Sequence, residues 1–150
     1  MQIKEIKPMN VLCFSEETTL VEMMKHIRIK ANELHRCAID NQMEITGPVY
    51  WIYHGTDGQP NTRFILEICI PVINPVNYSG LFKVKKLSTF KCAFDSHYGS
   101  WMQMPQTYQT LIGNLFENGH SLTGVNREIY INMDFKNPEN NITEIQIGIK

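Results

Sequence analysis

The stretches that decide the fold are Ile45-Thr46-Gly47, Tyr53 and Leu66-Glu67-Ile68, which return 77 residues later as Leu122-Thr123-Gly124, Tyr130 and Thr143-Glu144-Ile145. An earlier pair, residues 10–14 against residues 89–93, aligns at an offset of 79. The chain therefore contains two copies of one unit, at about residues 1–73 and 81–150. Two copies predict a pseudo-symmetric fold with a central seam, and such a seam is a natural place for a ligand cavity.

The bulk composition predicts one domain in a soluble, cytoplasmic protein. The chain has 150 residues, is 43% hydrophobic and carries a net charge of −1. Its short basic clusters, at residues 25–30 and 83–86, are typical of solvated faces, so we expect no direct nucleic-acid binding. No apolar run approaches the ~20 residues that span a bilayer, so we expect no membrane partner.

The cysteines and histidines predict neither a metal site nor a cofactor. Cys13, Cys37, Cys69 and Cys92 have no paired spacing that holds zinc, and no secretory signal precedes them. We therefore expect reduced thiols. The chain also lacks a phosphate loop, a Gly-x-Ser-x-Gly elbow and a His-Glu-x-x-His motif.

In the first copy, the pattern predicts strand, helix, strand, strand. Residues 2–16 are predicted as a strand pair or one bent strand broken at Pro8, and residues 47–54 and 63–72 as two further strands. A helix is predicted from Thr19, whose spacing to Glu22 fits a capping box, to about Asp40. Its inward stripe is Leu20, Met23, Met24, Ile27, Ala31 and Leu34.

The second copy repeats this order after a linker at residues 74–80. A strand is predicted over 82–97, a helix over 104–118 with Pro105 in its first turn and Gly119 as its stop, and strands over 126–133 and 142–149. The helix stripe is Tyr108, Leu111, Ile112, Leu115 and Phe116. The predicted fold class is α+β: duplicated strand-helix-strand-strand modules form an antiparallel or mixed sheet with two helices on one face and a central ligand pocket.

Alternation along the strands assigns side chains to faces. Arg127, Ile129 and Ile131 share one face, which we expect to cover the helices, and Glu128 and Tyr130 share the other. The repeat places Trp51 and Tyr53 at the positions equivalent to Glu128 and Tyr130. By the same reasoning Leu66 and Ile68 point toward the helices, whereas Glu67, Cys69, Glu144 and Gln146 join the face of Glu128.

Aromatic rings around a carboxylate suit a lipophilic cation, because each well-placed ring contributes roughly 0.5 to 2 kcal/mol. A buried carboxylate needs a hydrogen-bond partner, and Tyr53 and Tyr130 are the candidate donors to Glu128. The alternative is that Trp51, Tyr53 and Tyr130 are half-exposed strand aromatics with no ligand, since such residues favour sheets. Spacing alone leaves both interpretations open.

The chain resembles the GyrI-like effector-binding domains, which also serve as the ligand-sensing part of AraC-type and MerR-type transcription regulators. The resemblance covers essentially the whole chain and rests on Phe94-Asp-Ser-His-Tyr-Gly-Ser-Trp101, Tyr108 with Leu111, Asn118-Gly-His120, Arg127-Glu-Ile-Tyr130 and Asn137-Pro138 before Thr143-Glu-Ile145. The chain departs from the family at residues 15–18, where a His-x-Gly-like turn is replaced by Ser-Glu-Glu-Thr, and at Gly148, where proline is common.

The resemblance implies a stand-alone bacterial multidrug-binding domain that takes hydrophobic, often cationic, small molecules, with Glu128 as the key acid. The predicted ligand-binding residues are Glu128, Tyr130, Trp51, Tyr53, Trp101, Glu67, Glu144 and Tyr98. His97 is assigned a structural role in its turn. Some relatives hydrolyse strained cyclopropane-bearing compounds, so an alternative is a hydrolase in which Glu128 activates water and Glu67 or Glu144 is the proton partner.

A third alternative is a gyrase-inhibitor-like protein that acts on a protein partner through its outer surface. A homodimer is also compatible with the sequence.

Overall fold

The computed structural model describes residues 1–26, 28–73 and 78–150, and these form two compact units. Unit 1 contains Met1–Lys7 and Thr89–Lys150, and unit 2 contains Pro8–Ser88. The fold class is α+β, as predicted, with antiparallel strands and two long helices. The strands are β1 (Gln2–Ile6), β2 (Met9–Thr18), β3 (Glu44–Ile45), β4 (Tyr50–His54), β5 (Phe64–Ile73), β6 (Lys83–Leu87), β7 (Phe90–Tyr98), β8 (Leu122–Asn132) and β9 (Ile142–Ile149).

The helices are α1 (Ile29–Asp40) and α2 (Met104–Glu117), and short 3-10 turns occur at Glu22–His26, Trp101–Gln103 and Pro138–Asn140. None of the helices in the described ranges is long and apolar enough to cross a membrane.

In unit 1, the strands run antiparallel in the order β1-β7-β9-β8. Helix α2 packs on this sheet through the apolar cluster Ala93, Met104, Leu111, Leu115, Ile145, Ile147 and Ile149. The predicted ends of α2 are confirmed: Pro105 lies in the first turn, and Gly119 adopts φ 74° after the last. There the His120 N–H donates to the Leu115 carbonyl, which closes the helix in the manner of a Schellman motif. The inward position predicted for Phe116 is wrong, since it is 61% exposed.

In unit 2, the strands run antiparallel in the order β4-β5-β2-β6, with β3 also on β5. The prediction of one helix from Thr19 to Asp40 is wrong in its first part, because a separate 3-10 turn precedes α1 and Arg28 has φ 73°. Thr19 nevertheless caps that turn, since its Oγ1 accepts from the Glu22 N–H at 3.1 Å. Met24, predicted to be inward, is 56% exposed. Ile27 and residues 74–77 of the predicted linker lie outside the described residues.

The strand predicted over residues 82–97 is two strands, β6 and β7, which belong to different units. β6 pairs with β2 in unit 2, and β1 pairs with β7 in unit 1. The first strand of each sequence copy is therefore incorporated into the unit that the other copy builds. This reciprocal exchange is why the boundaries of the compact units differ from those of the sequence repeats.

The expectation of reduced thiols is wrong for two cysteines. Cys13 and Cys69, which face each other across β2 and β5 with Cα atoms 4.2 Å apart, form a disulfide. Cys37 and Cys92 are free thiols. Cys13 and Cys69 are 56 residues apart in the sequence, and only the register of β2 on β5 brings them together. The sequence alone therefore did not reveal the pair.

Candidate functional site

The Glu128 side chain lies on the face of unit 1 that carries α2. Residues directly opposed in an antiparallel pair share a face, and Glu128 is opposed to Ile145, which packs against α2. The predicted faces of β8 are therefore reversed: Glu128 and Tyr130 point toward α2, and Ile131 is 52% exposed. The error arose because isoleucines lie on both faces of this sheet: Ile145, Ile147 and Ile149 of β9 face α2, whereas Ile129 of β8 lies on the other face.

Two tyrosines hold the Glu128 carboxylate. Glu128 is 5% exposed; Oε1 accepts from the Tyr108 hydroxyl at 2.8 Å, and Oε2 accepts from the Tyr130 hydroxyl. Burial and the nearby Glu128 charge raise the pKa of Tyr108 well above its ordinary value, which keeps it a neutral donor. The prediction that Tyr130 donates to Glu128 is confirmed. The second donor is Tyr108. The sequence predicted that Tyr108 lies on the inward side of the helix and belongs to the family motif, but not that it donates to Glu128.

Further aromatic rings extend from Tyr130. The Trp101 ring meets the Tyr130 ring edge to face, with centroids 5.6 Å apart, and lies 5.4 Å from the Phe135 ring. Trp101 Nε1 donates to Thr143 Oγ1 at 3.1 Å, and Thr143 is opposed to Tyr130 across β8 and β9. We call Glu128, Tyr108, Tyr130, Trp101 and Phe135 the Glu128 cluster.

The turn that carries Trp101 is fixed by His97, as its predicted structural role requires. His97 Nε2 lies 2.8 Å from the Ser100 carbonyl, which only accepts, so this nitrogen carries the proton. Nδ1 then accepts from the Thr107 hydroxyl of α2 at 2.8 Å. The histidine thus ties the turn before Trp101 to the helix that supplies Tyr108.

Two of the predicted ligand-binding residues lie on the other face of unit 1. Glu144 is opposed to Ile129, and its carboxylate pairs with Lys4. Tyr98 shares that face and is 70% exposed. Neither residue belongs to the Glu128 cluster, so the prediction that Glu144 shares the face of Glu128 is wrong.

In unit 2, the predicted residues also divide between two faces. Trp51 and Tyr53, which are 6% and 4% exposed, are opposed to Ile68 and Leu66. Phe14 shares this face and contacts His26 and Lys30 from the helical side. Trp51 and Tyr53 therefore point toward the helical elements, and their predicted position on the face away from the helices is wrong.

The alternative that these two aromatics are half-exposed is therefore wrong. The expectation that Leu66 and Ile68 point toward the helix is confirmed. That Trp51 shares a cavity with Glu128 stays a prediction.

Glu67 lies on the opposite face of unit 2 from Trp51 and is fully engaged. Its carboxylate lies 2.7 Å from His54 Nε2 and pairs with Lys85. The His54 hydrogen bond, with a further contribution from Lys85, overcomes burial and lowers the pKa of Glu67 to about 2. A carboxylate only accepts, so His54 Nε2 carries a proton toward it. This ion-paired acid is suited to a structural or electrostatic role and not to proton donation.

Comparison with known families gives a match over the whole chain. The model of the GyrI-like small molecule binding domain matches residues 1–150. Comparison with curated proteins finds no match.

Solved structures share the fold at low identity. EcmrR in a complex with DNA is 21% identical with a TM-score of 0.81; the alignment covers 99% of this chain and 56% of the EcmrR chain. SAV2435 bound to tetraphenylphosphonium is 14% identical, with a TM-score of 0.66 and 99% and 93% coverage. A hydrolase from Listeria innocua is 13% identical, with a TM-score of 0.70 and 99% and 92% coverage.

Proposed function

Because the chain belongs to the GyrI-like family of small-molecule binding domains, we propose that it binds hydrophobic cations and that Glu128 supplies the charge selection. The observation that carries the proposal is a 95% buried carboxylate bonded by two tyrosines, one of which packs against the Trp101 ring. A carboxylate in such surroundings costs several kcal/mol unless it is compensated. Two tyrosine hydroxyls donate to it, and a neutral donor satisfies a carboxylate without itself cancelling the negative charge that we propose a cation recognises.

The same arrangement favours delocalised cations over compact ones. Both carboxylate oxygens already accept hydrogen bonds. A ligand would therefore interact with the negative charge and the aromatic ring faces more than with an additional hydrogen-bond acceptor. A compact ammonium must lose strong hydration to enter, whereas a cation with its charge spread under aryl groups loses little. Rings such as Trp101 and Tyr130 would add roughly 0.5 to 2 kcal/mol each. Tetraphenylphosphonium, the ligand in the SAV2435 structure, belongs to this chemical class.

Calorimetric titration tests this function. We expect Glu128→Gln to weaken tetraphenylphosphonium binding more than tenfold and to leave binding of neutral triphenylphosphine oxide within about twofold. Glu144→Gln is the matched control, since it removes a partly buried carboxylate from the other face of the same sheet. Equal losses of both ligands in Glu128→Gln, or an equal loss of the cation in Glu144→Gln, contradicts charge selection by Glu128.

A hydrolase is the second candidate, and structurally similar proteins include one described as a hydrolase. Glu128 could orient a water, but the predicted proton partners fit poorly. Glu67 is ionised and paired with Lys85, and Glu144 points to the other face with Lys4. The raised pKa of Tyr108 makes its hydroxyl a weak acid. Multiple turnovers of a cyclopropane-bearing alkylating agent, followed by mass spectrometry and lost in Glu128→Gln, would favour the hydrolase over binding alone.

A further inference from the structure

A cavity in unit 2 is lined by one cysteine of the disulfide and by cationic side chains. Its volume is about 400 Å³, which is in the range of small-molecule sites. The lining includes Cys13, Ser15, Glu67 and three lysines, Lys30, Lys83 and Lys85. Neither Glu128 nor the other members of the Glu128 cluster line it, so it is separate from the site proposed above.

The charges around this cavity favour an anion. The Glu67 carboxylate is already neutralised by its ion pair with Lys85. Lys30 lies 4.7 Å from the Phe14 ring centre and pairs at 3.0 Å with Glu33, an acid outside the lining. Lys83 completes a lining with three positive charges and one negative charge.

The two cysteines of the disulfide differ in their access to the cavity. Cys13 belongs to the lining and is 3% exposed, whereas Cys69 is 0% exposed and does not line the cavity. A thiol that enters the cavity therefore meets Cys13 before Cys69. An anionic thiol is also concentrated there by the lysines, and exchange rates depend on the access and concentration of the attacking thiolate.

We infer that the Cys13–Cys69 disulfide is a thiol-exchange site selective for small thiols that carry carboxylate or sulfonate groups. The incoming thiol loses its proton to solvent, and its thiolate attacks Cys13 Sγ. A new disulfide forms between the ligand and Cys13, the Cys13–Cys69 bond breaks, and Cys69 leaves as a thiolate that takes a proton from water. One disulfide is replaced by another, so no further oxidant or reductant takes part. The product is a protein modified at Cys13 by an anionic group held among lysines.

A metal site is the competing interpretation of the same residues. Ligand atoms of Cys13, Glu67 and Cys69 all lie within 4.8 Å of one another. Two features oppose a cation: the disulfide occupies both sulfurs, and the surrounding lysines repel positive charge. The charge that disfavours a metal is the charge that favours an anionic thiol.

The test compares thiols of different charge on the full-length protein. Titration with a thiol reagent in denaturant should first give two free thiols, from Cys37 and Cys92; four would overturn the inference. The oxidised protein is then treated at equal thiolate concentrations with 2-mercaptoethanesulfonate (anionic), 2-mercaptoethanol (neutral) and cysteamine (cationic). We expect the anionic thiol to react about tenfold faster than the cationic one at low salt, with the ratio falling in 0.5 M salt.

Variants and peptide mapping locate the effect. Lys83→Gln changes an exposed side chain and should reduce the anionic preference at least threefold. Lys91→Gln removes an exposed lysine of unit 1 and should retain the preference. Mass spectrometry of the first adduct should place it on Cys13. An adduct that forms first on Cys69, or a preference unchanged by Lys83→Gln, overturns the inference.

Discussion

The hydroxyl of Tyr108 is the most informative single group to remove, because it joins helix α2 to the buried acid. Tyr108→Phe keeps the ring and deletes only the donor that lies 2.8 Å from Glu128 Oε1. A hydrogen bond to a charged group contributes about 1.5–3 kcal/mol, and we expect this loss in the free energy of unfolding at pH 7. Urea denaturation of the oxidised protein measures it, with an unchanged m-value as the sign that the same surface unfolds.

A double-mutant cycle separates the charged hydrogen bond from lost packing. In a Glu128→Gln background the same change removes only a neutral hydrogen bond, worth about 1 kcal/mol, so the coupling energy should be about 1 kcal/mol. Tyr98→Phe is the control, because that hydroxyl belongs to a tyrosine that is 70% exposed, and it should stay within about 0.5 kcal/mol of the parent. An equal cost of Tyr108→Phe in both backgrounds would refute the interpretation.

The remaining predictions concern stability. The pKa of Glu67 is lowered from 4.5 to about 2, so its contribution is present above pH 4.5 and is lost as the pH falls toward 2. Urea unfolding should show the advantage of the parent over Glu67→Gln shrinking by about 1–2 kcal/mol between pH 6 and pH 2.5, and a constant difference would contradict this. Gly148→Ala places a Cβ 2.7 Å from a backbone oxygen of Val125 and should lower the unfolding free energy by about 2 kcal/mol. In α2, the Cβ of Gly113→Ala has no neighbouring atom within 4 Å, and the better helix propensity of alanine should raise the unfolding free energy by about 0.5–1 kcal/mol. Gly119→Ala, at φ 74°, should cost about 1 kcal/mol in thermal unfolding, and no loss there would contradict the role given to its backbone.

Local sequence signals predicted the elements well. The strand predicted over residues 142–149 has those bounds in the structure, and the predicted end of α2 at Gly119 is confirmed by its backbone geometry. Both predictions rest on a few neighbouring residues: the alternation of side chains marks the strand, and a glycine in the left-handed conformation ends the helix. These features do not depend on what the element packs against.

The errors concern relations between distant elements. Isoleucines on both faces of unit 1 made alternation in β8 ambiguous, so the sequence could not decide which face carried α2. Tyr108 reaches Glu128 only because α2 packs on the sheet that carries this acid, and a helix stripe does not specify which hydroxyl reaches an acid. The Cys13–Cys69 disulfide likewise needs the register of β2 on β5.

The reciprocal exchange of β1 and β6 determines when each unit can fold during synthesis and where the chain can be divided. Gln2 pairs with Phe94, so the first strand waits for about ninety further residues to be synthesised, which takes several seconds or more at usual elongation rates. Division between the sequence copies would leave each fragment with an edge strand that belongs to the other. Because β1 and β9 both run antiparallel to β7, they are parallel to each other, and a linker from Lys150 to Met1 must cross over with roughly a dozen or more residues. A circular permutant that begins at Thr89 and carries such a linker would instead encode each compact unit as one continuous stretch of chain.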